Sequence, residues 1–155
     1  MKRKPSSVPS ALLEGRGRRF AVVVARFNKD ITGKLEEACV RTLASHGSKT
    51  RVVPVPGAFE LPLVARRLAR SRKFDGVIAL GCIIRGQTPH DRYIAQEVSR
   101  GLGQVALETD VPVIFGVLTP LTLRQAQARA GNGSSNKGAE AALAALEMAN
   151  LGKLV

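Results

Sequence analysis

The sequence predicts a single α/β domain built on a parallel sheet with helices on both faces. Short, β-branched apolar runs alternate with longer stretches of helical period, the order that a parallel sheet with crossover helices requires. The short runs are apolar throughout instead of alternating, as strands covered on both sides must be. A length of 155 residues with 45% hydrophobic content suits one domain with a substantial core.

Strands are expected over 20–26 (FAVVVAR), 50–55 (TRVVPV), 76–84 (GVIALGCII) and 111–118 (VPVIFGVL), and helices over 31–46, 59–72, 90–108, 122–130 and 137–150. Asp30 or Thr32 should open the first helix, His46-Gly47 close it, and Asn136 cap the last. Helix 137–150 (KGAEAALAALEMAN) carries Ala on nearly every face and is expected to pack against a neighbouring copy. Residues 1–19 hold six Lys/Arg against one Glu, with two Pro and three Ser, and read as a basic flexible tail carrying +5 of the net +12. The domain proper is expected over 20–155.

That charge admits nucleic acid, an anionic membrane or small anionic substrates as partners. No aromatic interleaves with the basic residues before Phe20, which weighs against a nucleic-acid reader. A basic nucleic-acid-binding protein on an α/β scaffold remains the alternative reading. Cys39 and Cys82 form no CxxC pair and accompany only two His, so neither a disulfide framework nor a metal site is expected. No apolar run approaches the roughly 18 residues of a membrane span. The opening residues lack the apolar stretch of a secretory signal, and a cytoplasmic location is expected.

In open α/β sheets ligands bind at the carboxyl ends of the strands. The residues there are Arg26-Phe27-Asn28, Pro56-Gly57-Ala58-Phe59-Glu60, Arg85 to His90, and Phe115 near the end of the fourth strand. With only five Phe, one Tyr and no Trp in the chain, three Phe at these places suggest a grip on a flat ring. His90, the one imidazole near the expected site, suits a group that titrates near neutrality. Cys82, inside an apolar strand, reads as an inert core thiol. Gly101 to Ala106 matches GxGxxA but lies inside a helix, where that motif does not bind phosphate. The run 131–138 (GNGSSNKG) joins two helices and offers backbone N–H donors beside Lys137, either as an anion cradle or as a plain turn.

Six ordered motifs carry a family resemblance: ARFN (25–28), PGAFELP (56–62), GCIIRGQTPH (81–90), VPVIFGVLT (111–119), ARAG (128–131) and NKGAEAA (136–142). Over about residues 20–151 the chain resembles the lumazine synthases of riboflavin biosynthesis. The resemblance implies a three-layer flavodoxin-like sandwich with strand order 2-1-3-4. It implies pentamers with active sites between neighbours, packed in many members as an icosahedral shell of sixty subunits. It also implies the reaction, with no cofactor and no metal: 5-amino-6-(D-ribitylamino)uracil condenses with 3,4-dihydroxy-2-butanone 4-phosphate to 6,7-dimethyl-8-ribityllumazine, releasing phosphate and water. Carried over by residue, Phe27 would stack on the pyrimidine, Ala58, Phe59 and Glu60 would hold the ribityl chain, and Cys82, Ile83 and Ile84 would meet the pyrimidine edge through backbone groups. Gln87 and Thr88 would cradle the phosphate and His90 would move protons. Phe115, Arg129 and Lys137 would come from the adjacent subunit, Arg129 pairing with the phosphate. Two positions depart from the family pattern: Asp91-Arg92 stand where an aromatic and then an acidic residue are usual, and Gly133 stands where a Lys is common.

Overall fold

The structure, a computed structural model, describes residues 7–155. Four parallel strands, β1 (Arg19–Ala25), β2 (Lys49–Val55), β3 (Gly76–Cys82) and β4 (Val113–Leu118), form one sheet in the order β2-β1-β3-β4. The helices are α1 (Lys29–Ser45), α2 (Leu61–Arg70), α3 (His90–Thr109), α4 (Leu123–Arg129) and α5 (Lys137–Leu151). Alternate residues of β1 divide between two cores. Phe20, Val22 and Val24 pack with α1, α4 and α5, while Ala21, Val23 and Ala25 pack with α2 and α3. The α/β sandwich with strand order 2-1-3-4 is therefore as expected.

Element ends show where local chemistry prevailed over pattern. Helix α1 starts at Lys29, ahead of the expected Asp30 or Thr32, because Asn28 takes the left-handed conformation (φ 62°) that Asn tolerates and turns the chain straight off β1. Asp30 lies in the first turn and complements the helix dipole, and Thr32 is buried inward. His46 closes α1 as expected. Helix α2 is shorter than 59–72: a 3₁₀ turn over Ala58–Glu60 precedes it, and Arg72 at φ 58° follows its end. The glycine at 101 in the rejected GxGxxA is a packing device, since a Cβ there would lie 2.9 Å from Pro62 Cβ on α2.

Strand β3 stops at Cys82, so Ile83 and Ile84 lie beyond it. The Ile83 N–H still donates to the Leu118 carbonyl (2.8 Å), but the next rung would need a donor from Pro120, which has no N–H. Strand β4 likewise begins only after Pro112.

The basic segment 1–19 is not a free tail over its whole length. Residues 1–6 lie outside the described residues, but from Ser10 onward the chain is held on the domain. The Arg18 guanidinium donates to Asn150 Oδ1 (Nη2, 2.9 Å) and pairs with Asp75 (3.2 Å). Asn150 Nδ2 in turn reaches the carbonyls of Leu12 and Glu14, both at 2.9 Å. Part of the Ala content of α5 is spent within the chain: Ala141, Ala142, Ala145 and Ala149 are buried in the α1 core, while Ala139 and Ala144 stay partly exposed. The cap on α5 is as expected, with Asn136 Oδ1 accepting from the N–H groups of Gly138 (2.7 Å) and Ala139 (3.3 Å).

Candidate active site

The strand order puts the ends of β1, β2 and β3 side by side, and a cleft of about 400 Å³ opens over them. Phe27 after β1, Ala58–Glu60 after β2, Cys82–Ile84 at the end of β3 and His90 at the start of α3 all line it. Phe27 is 71% and Phe59 58% exposed, an unfavourable state for two aromatic rings unless another surface covers them. Glu60 turns one carboxylate oxygen back onto its own loop, where Oε2 accepts from the Gly57 N–H at 2.9 Å. Oε1 has no partner among the described residues.

The floor of the cleft is backbone. Asn28 Nδ2 donates to the Cys82 carbonyl at 2.8 Å, tying the ends of β1 and β3 together. Pro120 leaves the Ile83 carbonyl free of a ladder donor, and among the described residues the Ile84 N–H has no acceptor. These two groups belong to one trans peptide and point to opposite sides, the carbonyl toward β4 and the N–H toward β1, so the Ile84 N–H is the one that can meet the edge of a polar heterocycle over β1 and β3. Asn28 was visible in the sequence only as part of a strand-end cluster. Its usable signal was its side-chain chemistry, an amide able to tolerate a left-handed turn and still reach a neighbouring strand.

Cys82 takes no part as a nucleophile, because burial pushes its thiol up to about 11. Burial, reinforced by the nearby Glu36 charge, pushes Cys39 up to about 12. Both folded-state values lie above that of an unfolded thiol, so their contribution to stability is complete below about pH 8.5 and is lost as pH rises through the folded values. We expect alkylation of the native protein at pH 7.5 to be far slower than of the unfolded chain, and unfolding free energy to fall between about pH 9 and 12. Fast labelling at pH 7.5 without unfolding would contradict this.

Gln87 and Thr88 line a neighbouring cleft of about 440 Å³ together with Arg85, Arg92 and Leu121. Asp91 borders both clefts, and its Oδ1 accepts from the Gly86 N–H (3.3 Å). Asp91 thus shapes the loop. The exposed His90 ring has no hydrogen-bond partner among the described residues.

Phe115, Arg129 and Lys137 lie elsewhere, in a third cleft of about 670 Å³ that shares no lining residue with the first. Phe115 is not near the strand end: it is the third residue of β4, opposite Ala79, and 46% exposed because β4 is an edge strand. Arg129 ends α4 and donates only to the Gln125 carbonyl (3.2 Å), with no carboxylate partner among the described residues. The Lys137 ammonium pairs with Glu140 at 2.7 Å, a residue the sequence reading missed although Lys-Glu at i, i+3 on a helix is a recognisable pair. Two of the first N–H groups of α5 are taken by Asn136, so the 131–138 run is a capped turn and not an open anion cradle. The expected site residues therefore fall into three clefts of one chain, that of Gln87 and Thr88 sharing Asp91 with the first and Leu121 with the third.

The sequence model of one family, described as 6,7-dimethyl-8-ribityllumazine synthase, matches residues 17–153. The chain belongs to this family. A 6,7-dimethyl-8-ribityllumazine synthase of Desulfotalea psychrophila (strain LSv54 / DSM 12343) is 51% identical over 142 residues, covering 90% of this chain and 92% of the relative. The lumazine synthase match includes β1 through α5 and all three clefts. Among the described residues no helix is long and apolar enough to cross a membrane.

Proposed function

We propose that the chain is a 6,7-dimethyl-8-ribityllumazine synthase, a transferase that condenses 5-amino-6-(D-ribitylamino)uracil with 3,4-dihydroxy-2-butanone 4-phosphate. The observation that carries this reading is the family match over 17–153, which spans both sets of site residues. Phe27 stacks on the pyrimidine, whose edge meets the Ile84 N–H. Ala58 to Glu60 hold the ribityl chain, with the free Glu60 oxygen accepting from a hydroxyl. Gln87 and Thr88 hold the phosphate from one side and Arg129 from the other.

The split between the cleft of Phe27 and His90 and that of Phe115, Arg129 and Lys137 supports a site completed by a neighbouring copy, with the second set of one chain closing over the first set of the next. A head-to-tail contact of this kind closes into a ring when its rotation is a simple fraction of a full turn. The reading is a pentamer, packed further as an icosahedral shell of sixty subunits in the cytoplasm. The exposed rings of Phe27, Phe59 and Phe115 are the apolar surface such a contact would cover. The family match gives the nucleic-acid alternative no support.

An amine and a ketone react without much assistance, so holding both in register supplies most of the rate. His90 adds proton transfer. In an assay of the fluorescent lumazine product, wild type should turn over and His90→Ala should lose tenfold or more, toward the low end of the roughly 10²–10⁴-fold range of acid–base groups. His46→Ala, at the far end of α1, should change turnover less than twofold. Absence of product from wild type would refute the function, and equal small effects of the two substitutions would refute the role of His90.

A further inference from the structure

Arg92 occupies an unfavourable place for the fold alone. It is the third residue of α3, and a cation in the first turn opposes the helix dipole. Its one acidic neighbour in the sequence, Asp91, is engaged by the Gly86 N–H. Neither Arg92 nor Arg85 has a carboxylate partner among the described residues, although both are exposed and line one cleft. That cleft therefore gathers two unpaired guanidiniums against one carboxylate, around the loop of Gln87 and Thr88. Its remaining wall, Leu121, also borders the cleft of Phe115 and Arg129. Such an excess of positive charge with forked donors suits a phosphate monoester dianion, which a guanidinium binds bidentately at every working pH.

We propose that Arg92 is a second guanidinium for the phosphate of the butanone substrate, supplied by the chain that carries His90 and backed by Arg85. This rests on the proposed function and deepens it. The dianion is then gripped from both halves of the site, by Arg92 on one side and by the neighbour's Arg129 on the other. The bound anion also removes the mismatch between Arg92 and the dipole of α3, so the phosphate and the start of the helix stabilise each other.

The test compares full-length Arg92→Gln and Arg92→Lys with Arg100→Gln, a charge loss on the same helix at a residue paired with Glu97. Inorganic phosphate is titrated by calorimetry, the KM of each substrate is measured, and assembly is followed by sedimentation. For Arg92→Gln the phosphate Kd and the butanone phosphate KM should rise together by roughly 5- to 30-fold. Arg92→Lys should recover part of this, while the uracil KM, the sedimentation and all Arg100→Gln values should stay within twofold. Phosphate affinity within twofold in Arg92→Gln would overturn the proposal. So would a loss accompanied by altered sedimentation, which would make Arg92 an ion-pair partner between copies. A wild type that binds phosphate through Arg92 yet forms no lumazine would refute the function and leave the anion site standing. One that forms lumazine with phosphate affinity indifferent to Arg92 would refute this inference alone.

Discussion

Replacing Arg129 with Ala is expected to weaken binding of the butanone phosphate on the order of 10- to 100-fold, the loss of a charge-assisted hydrogen bond of about 1.5–3 kcal/mol. Little in its cleft can compensate. Lys137 is held by Glu140 at 2.7 Å, and the loop that follows Arg129 carries Gly133 in place of a cation. Arg129 has no carboxylate partner among the described residues, so its charge is available to a ligand at every working pH. The uracil substrate, held by Phe27, Glu60 and Phe115, should bind almost unchanged. Separate titrations of the two substrates against Arg129→Ala and Arg129→Lys check this. Butanone phosphate affinity within twofold of wild type in both variants, or a fall in uracil affinity instead, would remove Arg129 as the phosphate anchor.

Gly138→Ala should cost the fold about 3 kcal/mol or more, at or beyond the upper end of ordinary overpacking. A Cβ at this position would lie 2.0 Å from the Leu35 carbonyl oxygen and 2.7 Å from its carbon. Both clashing atoms are backbone, so no change of rotamer relieves them. Helices α1 and α5 would have to part, unpacking Leu35, Leu146 and the Ala face of α5. Gly133 provides the contrast: a Cβ there meets nothing within 4 Å, but φ is +92°, so Gly133→Asn should cost only the backbone strain, about 1 kcal/mol and well below the loss at Gly138. Denaturation midpoints of the two variants decide the matter. A Gly138→Ala chain as stable as wild type would mean that the α1–α5 approach is looser than the structure shows.

The four strands and five helices were legible because period and composition are local signals, strong wherever strands are buried on both faces, whereas the strand order came from the family resemblance. What escaped depended on distant partners. Arg18 and Asn150 stand far apart in the chain and meet across the domain, so a segment rich in Lys, Arg, Ser and Pro looked free when half of it is docked. β3 ended early through Pro120, just past the end of β4, and α1 began early through a single φ at Asn28. Within the candidate site, residues just past strands were placed well, since the fold alone exposes them. Phe115 was misplaced because sequence does not reveal which strand lies at the edge, where a mid-strand side chain reaches the surface. The assignment of Phe115, Arg129 and Lys137 to a second copy came only from the family resemblance. No spacing along one chain encodes which residues must wait for a second copy.

The central claim is that one active site is built from two chains, and mixing two variants tests it. His90→Ala and Arg129→Ala chains, carrying different tags, are co-expressed and the mixed assemblies purified through both tags. Lumazine formation is then measured at limiting butanone phosphate. In a randomly mixed ring with equal shares, about a quarter of the contacts join an intact His90 half to an intact Arg129 half. The account predicts activity well above the average of the two variants alone, approaching a quarter of wild type. Activity no higher than that average, in assemblies shown to contain both chains, would mean that His90 and Arg129 act within one chain or not together at all, and would contradict the account.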